Sequence, residues 1–108
     1  MNNNIYELRI YTVNPKDLHK LLKLWEYEGK PIIDKYMKCI GIWNSESGTL
    51  NKIFHLYYWD NYNLRETARD SFYKDINAKK YVKKVKTFYQ KQESYILSSV
   101  DFLNIQIK

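Results

Sequence analysis

The stretch NKIFHLYYWD, residues 51–60, decides the fold. It is a run of apolar and aromatic side chains in which His55 is the one imidazole, and it reads as the central strand of a β-sheet. Just ahead of it, KCIGIWNSES (38–47) is a second strand candidate, and a turn around Gly48 joins the two into a β-hairpin. With an even-numbered loop, Trp43 pairs with Phe54 and shares its face. One further loop residue turns Trp43 to the other side, because side-chain direction repeats every two residues.

Working outward, IYELRIYTV (5–13) alternates and is rich in β-branched and aromatic types, as strands are. Tyr6, Leu8, Ile10 and Thr12 share one face; Ile5, Glu7, Arg9, Tyr11 and Val13 share the other. Asn14 before Pro15 signals a helix start, with a side-chain cap ahead of a residue that has no N–H to lose. Leu18, Leu21, Leu22 and Trp25 then form one helical stripe, which His19 misses. Gly29 and Pro31 interrupt this helix, and Ile32, Ile33 and Tyr36 carry it a further turn or two.

Beyond the hairpin, a helical region begins near Asn61 to Asn63, with Leu64, Ala68 and Phe72 on one side. A third helix follows Asn77, with Tyr81, Val82, Val85, Phe88 and Tyr89 as its buried stripe and lysines opposite. QESYILSSVDFL (92–103) is the last strand, and residues 1–4 and 104–108 are expected as tails. The order is β-α-β-β-α-β with the second helical segment split in two. That is an α+β, ferredoxin-like sandwich in a single domain spanning 1–108, with helices on one face of four strands. Its central first and third strands place Arg9 and Tyr11 beside His55, Tyr57 and Trp59.

Composition narrows the function classes. Hydrophobic residues are 44% and charged residues 28% of 108, a globular mixture. The lone cysteine, Cys39, cannot form an internal disulfide and suits a reducing compartment. No apolar run reaches the roughly 20 residues of a membrane span, and Met1–Asn4 has no basic or apolar signal segment; a cytoplasmic location is expected. The net charge is +6, with Lys79, Lys80, Lys83, Lys84, Lys86 and Lys91 crowding one segment. Nucleic-acid readers lean on arginine beside exposed rings. Here the rings fall at core spacing, so the lysines read as a solvated face and nucleic acid is not an expected partner.

The rings also bear on assembly. If Leu8, Ile10, Phe54, Leu56 and Tyr58 meet the helices, the far face carries Tyr11, Tyr57 and Trp59. At about 150–250 Å² for each buried ring, these three match or exceed the roughly 300–600 Å² that a monomer leaves exposed in its largest patch. The expected cover is the same face of a second copy, so that two sheets close into a dimeric α/β barrel.

The ordered motifs resemble the NIPSNAP family across residues 6 to about 100. YELRIYT (6–12) is similar to the family's first strand. Gly41, Trp43, Glu46, Gly48 and Asn51 follow its hairpin pattern G-x-W-x-x-E-x-G-x-x-N, and then come His55, Arg65, Arg69 and QESYIL (92–97). All three arginines of a lysine-rich chain, Arg9 included, fall on family positions. Two departures stand out: Tyr57 and Trp59 invert the more usual order of rings, and Ala78 replaces a tryptophan. If that tryptophan lines a pocket in relatives, the pocket here is larger or differently shaped. The resemblance implies the dimeric α+β barrel fold shared with antibiotic-biosynthesis monooxygenases and haem-degrading enzymes, without implying one reaction.

The residues that bear chemistry are few. His55 and Arg9 are the candidate catalytic pair, with the imidazole as general acid or base and the guanidinium as anchor for an anion or enolate. Glu7, Tyr11, Trp43, Tyr57, Trp59, Arg69 and Glu93 are candidate ligand-binding residues around a small apolar or aromatic molecule. The bland alternative is a buried network in which Arg9 binds Glu7 or Glu93 and His55 binds a tyrosine or carbonyl. Two histidines and one cysteine do not fill a structural zinc site, so no metal is expected, and no cofactor. Glu46, near Gly48 and Asn51, reads as part of the turn. Three classes fit: a cofactor-independent monooxygenase-like or isomerase-like enzyme, a non-catalytic binding or scaffold module, and a carrier of haem or another lipophilic ligand.

Overall fold

The structure, a computed structural model, describes residues 3–100 and 102–103. Its elements are β1 (Ile5–Val13), α1 (Leu18–Leu24), α2 (Lys30–Tyr36), β2 (Lys38–Asn44), β3 (Lys52–Trp59), α3 (Tyr62–Lys74), α4 (Ile76–Lys86) and β4 (Tyr89–Leu97). The sheet is antiparallel in the order β2-β3-β1-β4, which puts β1 and β3 in the centre as the sequence implies. Of the expected tails, Asn3 is exposed and Asn4 is buried; residues 104–108 lie outside the described residues, as does Asp101 within the expected last strand. Among the described residues no helix is long and apolar enough to cross a membrane.

Local chemistry sets the element ends. Asn14 Oδ1 accepts from the Lys16 N–H, and Asn61 Oδ1 accepts from the Leu64 N–H at 2.9 Å, each capping a helical start. The break between α3 and α4 is one extended residue, Asp75, whose Oδ1 accepts from Asn77 and Ala78. The third helix therefore begins at Ile76, ahead of the Asn77 that the sequence suggested.

Gly29 and Pro31 do not interrupt the first helix; they widen it. Trp25–Gly29 form a π-helical turn in which the Lys30 N–H reaches back to the Trp25 carbonyl. Proline tolerates this position because α2 has only just begun. Gly29 leaves room for Tyr81, whose hydroxyl a Cβ at this position would run into.

The sheet faces are the reverse of the expected assignment. Ile5, Glu7, Tyr11 and Val13 of β1 and Ile53, His55, Tyr57 and Trp59 of β3 are buried beneath the helices. They join two apolar clusters, one with Leu21, Trp25, Tyr81 and Val85, the other with Met37, Phe72 and Ala78. Leu8, Ile10, Phe54, Leu56 and Tyr58 lie on the opposite, outer face and are half-buried. Trp43 does pair with Phe54, and so it also lies outward, at 52% exposure. A bulge between Cys39 and Gly41 precedes this register. The last strand starts at Tyr89, which the helical stripe had claimed, and ends at Leu97.

Candidate functional site

In the central pair, Arg9 stands opposite His55 and Glu7 opposite Tyr57. Because the helices cover this face, the four side chains converge under them. A cavity of about 130 Å³ lies there, walled by Arg9, Tyr11, His55 and Tyr57 from the sheet, Trp25 from the π turn and Tyr81 from α4.

His55 is 2% exposed. Its ring meets Trp25 edge-on at 4.4 Å between centroids and Tyr11 at 4.9 Å. Nδ1 lies 2.9 Å from the Tyr57 hydroxyl, whereas the buried Nε2 has no partner. Burial, reinforced by the charge of Arg9, pushes the imidazole pKa down to about 3, so the ring is neutral near pH 7. A phenol can donate to Nδ1 or accept from it; when the Tyr57 hydroxyl donates, the ring proton sits on Nε2 and is left free to donate. Burial raises the Tyr57 and Tyr11 hydroxyls above their ordinary values, which keeps both protonated.

Beneath this layer sits a charge cluster. Glu7, 1% exposed, accepts from Arg9 Nε at 2.9 Å, Arg65 Nε at 3.0 Å, Trp59 Nε1 at 3.1 Å and, more weakly, Arg65 Nη2 and Ser94 Oγ. Burial alone raises a carboxyl pKa; here the hydrogen bond from Arg65 and the charge of Arg9 outweigh it and hold Glu7 at about 2. A buried carboxylate needs such pairing. Arg65 is shared with the exposed Glu66 at 2.8 Å, while Arg9 lines the cavity and lies over the Tyr57 ring at 5.3 Å.

Of the residues singled out from the sequence, the structure brings together Arg9, Tyr11, His55 and Tyr57 at the cavity, with Glu7 and Trp59 behind them. Arg69 stands apart, its guanidinium over Tyr73 on α3. Glu93 and Trp43 lie on the outer face, Glu93 opposite Ile10 and within 4.0 Å of Lys52. Their alternation in the strands places them there, so neither reaches the cavity. Glu46 is exposed on the hairpin loop. Ala78 is buried in the cluster that contains Trp59 and Tyr57 and is not itself a wall residue of the cavity.

The wall residues overlooked in the sequence include Trp25, Phe72, Tyr81 and Tyr89, which read there as core, Lys86, which reads there as part of the solvated lysine face, and Gln92 of the last strand. Tyr89 stacks on Tyr11 at 4.4 Å. Arg65 was also overlooked as the second partner of Glu7. Its signal was its type: it is one of three arginines in a chain that otherwise uses lysine. Among the described residues no three His, Cys, Asp or Glu side chains gather to hold a metal.

An antiparallel β2-β3-β1-β4 sheet with helices on one face and a polar cleft between them defines a ferredoxin-like α+β protein. Within that class the chain belongs to the NIPSNAP family, whose model matches residues 6–104. An uncharacterised NIPSNAP domain protein from Burkholderia xenovorans is 27% identical, with a TM-score of 0.89 over 94% of this chain and 99% of that one. A NIPSNAP family protein of unknown function from Agrobacterium tumefaciens is 23% identical, at TM-score 0.90 over 97% and 96%. A protein provisionally assigned as an antibiotic biosynthesis monooxygenase from Nitrosomonas europaea, 6% identical, shares the fold at TM-score 0.70 over 94% of each chain. No curated protein matches the chain.

Proposed function

We propose that this protein binds a small, largely apolar or aromatic molecule between sheet and helices and stabilises negative charge on one of its oxygens. The observation that carries this reading is the unpartnered, buried Nε2 of His55 beside Arg9 on the wall of the cavity. A neutral imidazole N–H and a guanidinium together suit an enolate or phenolate oxygen, and a water-poor site strengthens both. An imidazole with a pKa of about 3 is a weak base, so His55 serves as a hydrogen-bond donor rather than as the proton abstractor. Such stabilisation serves cofactor-independent chemistry of the monooxygenase-like or isomerase-like kind. A cavity of about 130 Å³ has room for one ring.

The test is a titration with para-nitrophenol, whose ionised form is yellow. Binding the phenolate in preference lowers the ligand's apparent pKa in the wild type, and His55→Phe and Arg9→Met each diminish the shift. Absence of binding, or an unshifted pKa, rejects the reading.

The outer sheet face supports a second element of the proposal, pairing with a second copy of the chain. Leu8, Ile10, Phe54, Leu56 and Tyr58 form its centre, flanked by the exposed Trp43, Tyr95 and Leu97, with Lys52, Lys91 and Glu93 at one rim. Large contiguous apolar faces of this kind mark interaction surfaces. Tyr11, Tyr57 and Trp59, the rings expected on that face, lie under the helices instead, so the pairing rests on Trp43, Phe54, Tyr58 and Tyr95.

A further inference from the structure

Trp25 and Ile33 each face two cavities. On one side lies the inner space with Arg9 and His55; on the other, a groove of about 370 Å³ runs beside the edge strand β2. Leu22, Trp25, Ile33, Cys39 and Ile42 give that groove its apolar walls. Its charged members are Lys30 and Asp34, which pair with each other, and Glu26, so the lining offers an occupant no net positive charge. The Cys39 thiol is turned to the Gly41 carbonyl at 3.6 Å.

We propose that cavity and groove are one binding site for an amphiphile, with an oxyanionic head at Arg9 and His55 and an unbranched apolar tail along β2. The inference rests on the reading of the inner cavity given above and assigns the ligand class to it. Size argues for the tail. The inner space holds one ring or a short head, whereas sites for larger ligands run to about 300–1,000 Å³, a range the groove reaches. Charge argues for the polarity, because the cations Arg9 and Lys86 line the inner space, with Glu7 shared between Arg9 and Arg65, whereas the groove adds the carboxylate of Glu26 to a neutral Lys30–Asp34 pair. Trp25 and Ile33 are the lining residues common to both spaces. Trp25 begins the π turn, a distortion that recurs at functional sites, and an occupant of both spaces would have to displace it.

Calorimetric titration with benzoate, octanoate and decanoate tests this, on the wild type and on Ile42→Asp. Ile42 lines the groove and not the cavity, and at 45% exposure its replacement leaves the core intact. A circular-dichroism melt verifies the fold. In the wild type each added methylene tightens binding by up to about fourfold, so decanoate exceeds octanoate by about tenfold. In Ile42→Asp that gain with chain length vanishes while benzoate binds unchanged. Equal binding of octanoate and decanoate, or a gain that persists in Ile42→Asp, overturns the groove while benzoate still upholds the inner site. If benzoate does not bind the wild type, the reading of the inner site falls as well.

Discussion

Acidification should destabilise this protein through His55, in a window of pH where few other groups respond. Free histidine titrates near 6.5, but the buried ring is held at about 3. As pH falls below 6.5 the unfolded chain takes up a proton that the folded chain refuses, so stability drops with pH. At about 1.36 kcal/mol for each tenfold change in proton concentration, the loss amounts to roughly 3 kcal/mol by pH 4. For a small domain with about 5–15 kcal/mol in hand, that is a large share. The charged and titratable neighbours do not blur the window. Arg9 stays cationic, Glu7 titrates near 2, and Tyr11 and Tyr57 are raised upward.

The assay is urea unfolding followed by tryptophan fluorescence at several pH values from 7 to 4, on the wild type and on His55→Asn. The asparagine carbonyl can take the place of Nδ1 as acceptor for Tyr57. The lost ring volume has its own cost, but that cost does not vary with pH. Surface carboxylates titrate in both proteins and cancel in the difference. The stability advantage of the wild type over His55→Asn should therefore shrink by about 3 kcal/mol between pH 6.5 and pH 4. A difference that stays constant within about 0.5 kcal/mol across this range shows that the imidazole titrates normally, and the argument for a desolvated neutral ring fails.

Three further outcomes follow from the geometry. Glu7→Gln removes the carboxylate that pairs Arg9 and Arg65 and should cost about 3–5 kcal/mol in urea unfolding at pH 7. Because the folded carboxyl is held at about 2 against an ordinary 4.5, the wild type also loses stability as pH falls from 4.5 toward 2, a slope the variant should lack. Gly29→Ala drives a methyl group into the Tyr81 hydroxyl and should cost about 1–3 kcal/mol, and adding Tyr81→Phe should recover part of the loss in thermal melts. Leu56→Lys places a charge at the centre of the outer face. It should convert a dimer to a monomer in sedimentation velocity while leaving the melt of the helix-covered core close to that of the wild type.

The order of elements was legible because each border carries its own local chemistry. Asn14-Pro15 and Asn61 cap helices wherever they are placed, and the strand runs have the right length and residue types. The borders that shifted are those where tertiary contact decides. Tyr89 belongs to the helical stripe by spacing but stacks on Tyr11 and opens β4. Gly29 and Pro31 look like a break, yet the helical path runs on through a π turn that ends at Gly29 and into α2, and the glycine is there because Tyr81 occupies the space over it.

The faces of the sheet could not be read from alternation, and the reason bears on function. β3 is apolar on both sides, with Ile53, Tyr57 and Trp59 on one and Phe54, Leu56 and Tyr58 on the other, so the pattern in this strand has no solvent side. The tie is broken by β1, and its evident signal points the wrong way. Glu7 and Arg9 look like solvent-facing residues, yet they are inside because Arg65, Trp59 and Ser94 complete their bonding from three other elements. No local rule anticipates that closure, since the partners lie 52 to 87 residues away in the chain. A chain that needed only a core could fill this space with hydrocarbon, often at no loss of stability. This one keeps an ion cluster beneath an imidazole whose buried Nε2 has no partner. Under the function proposed above, the cluster holds Arg9 in place for the ligand that enters from the cavity side.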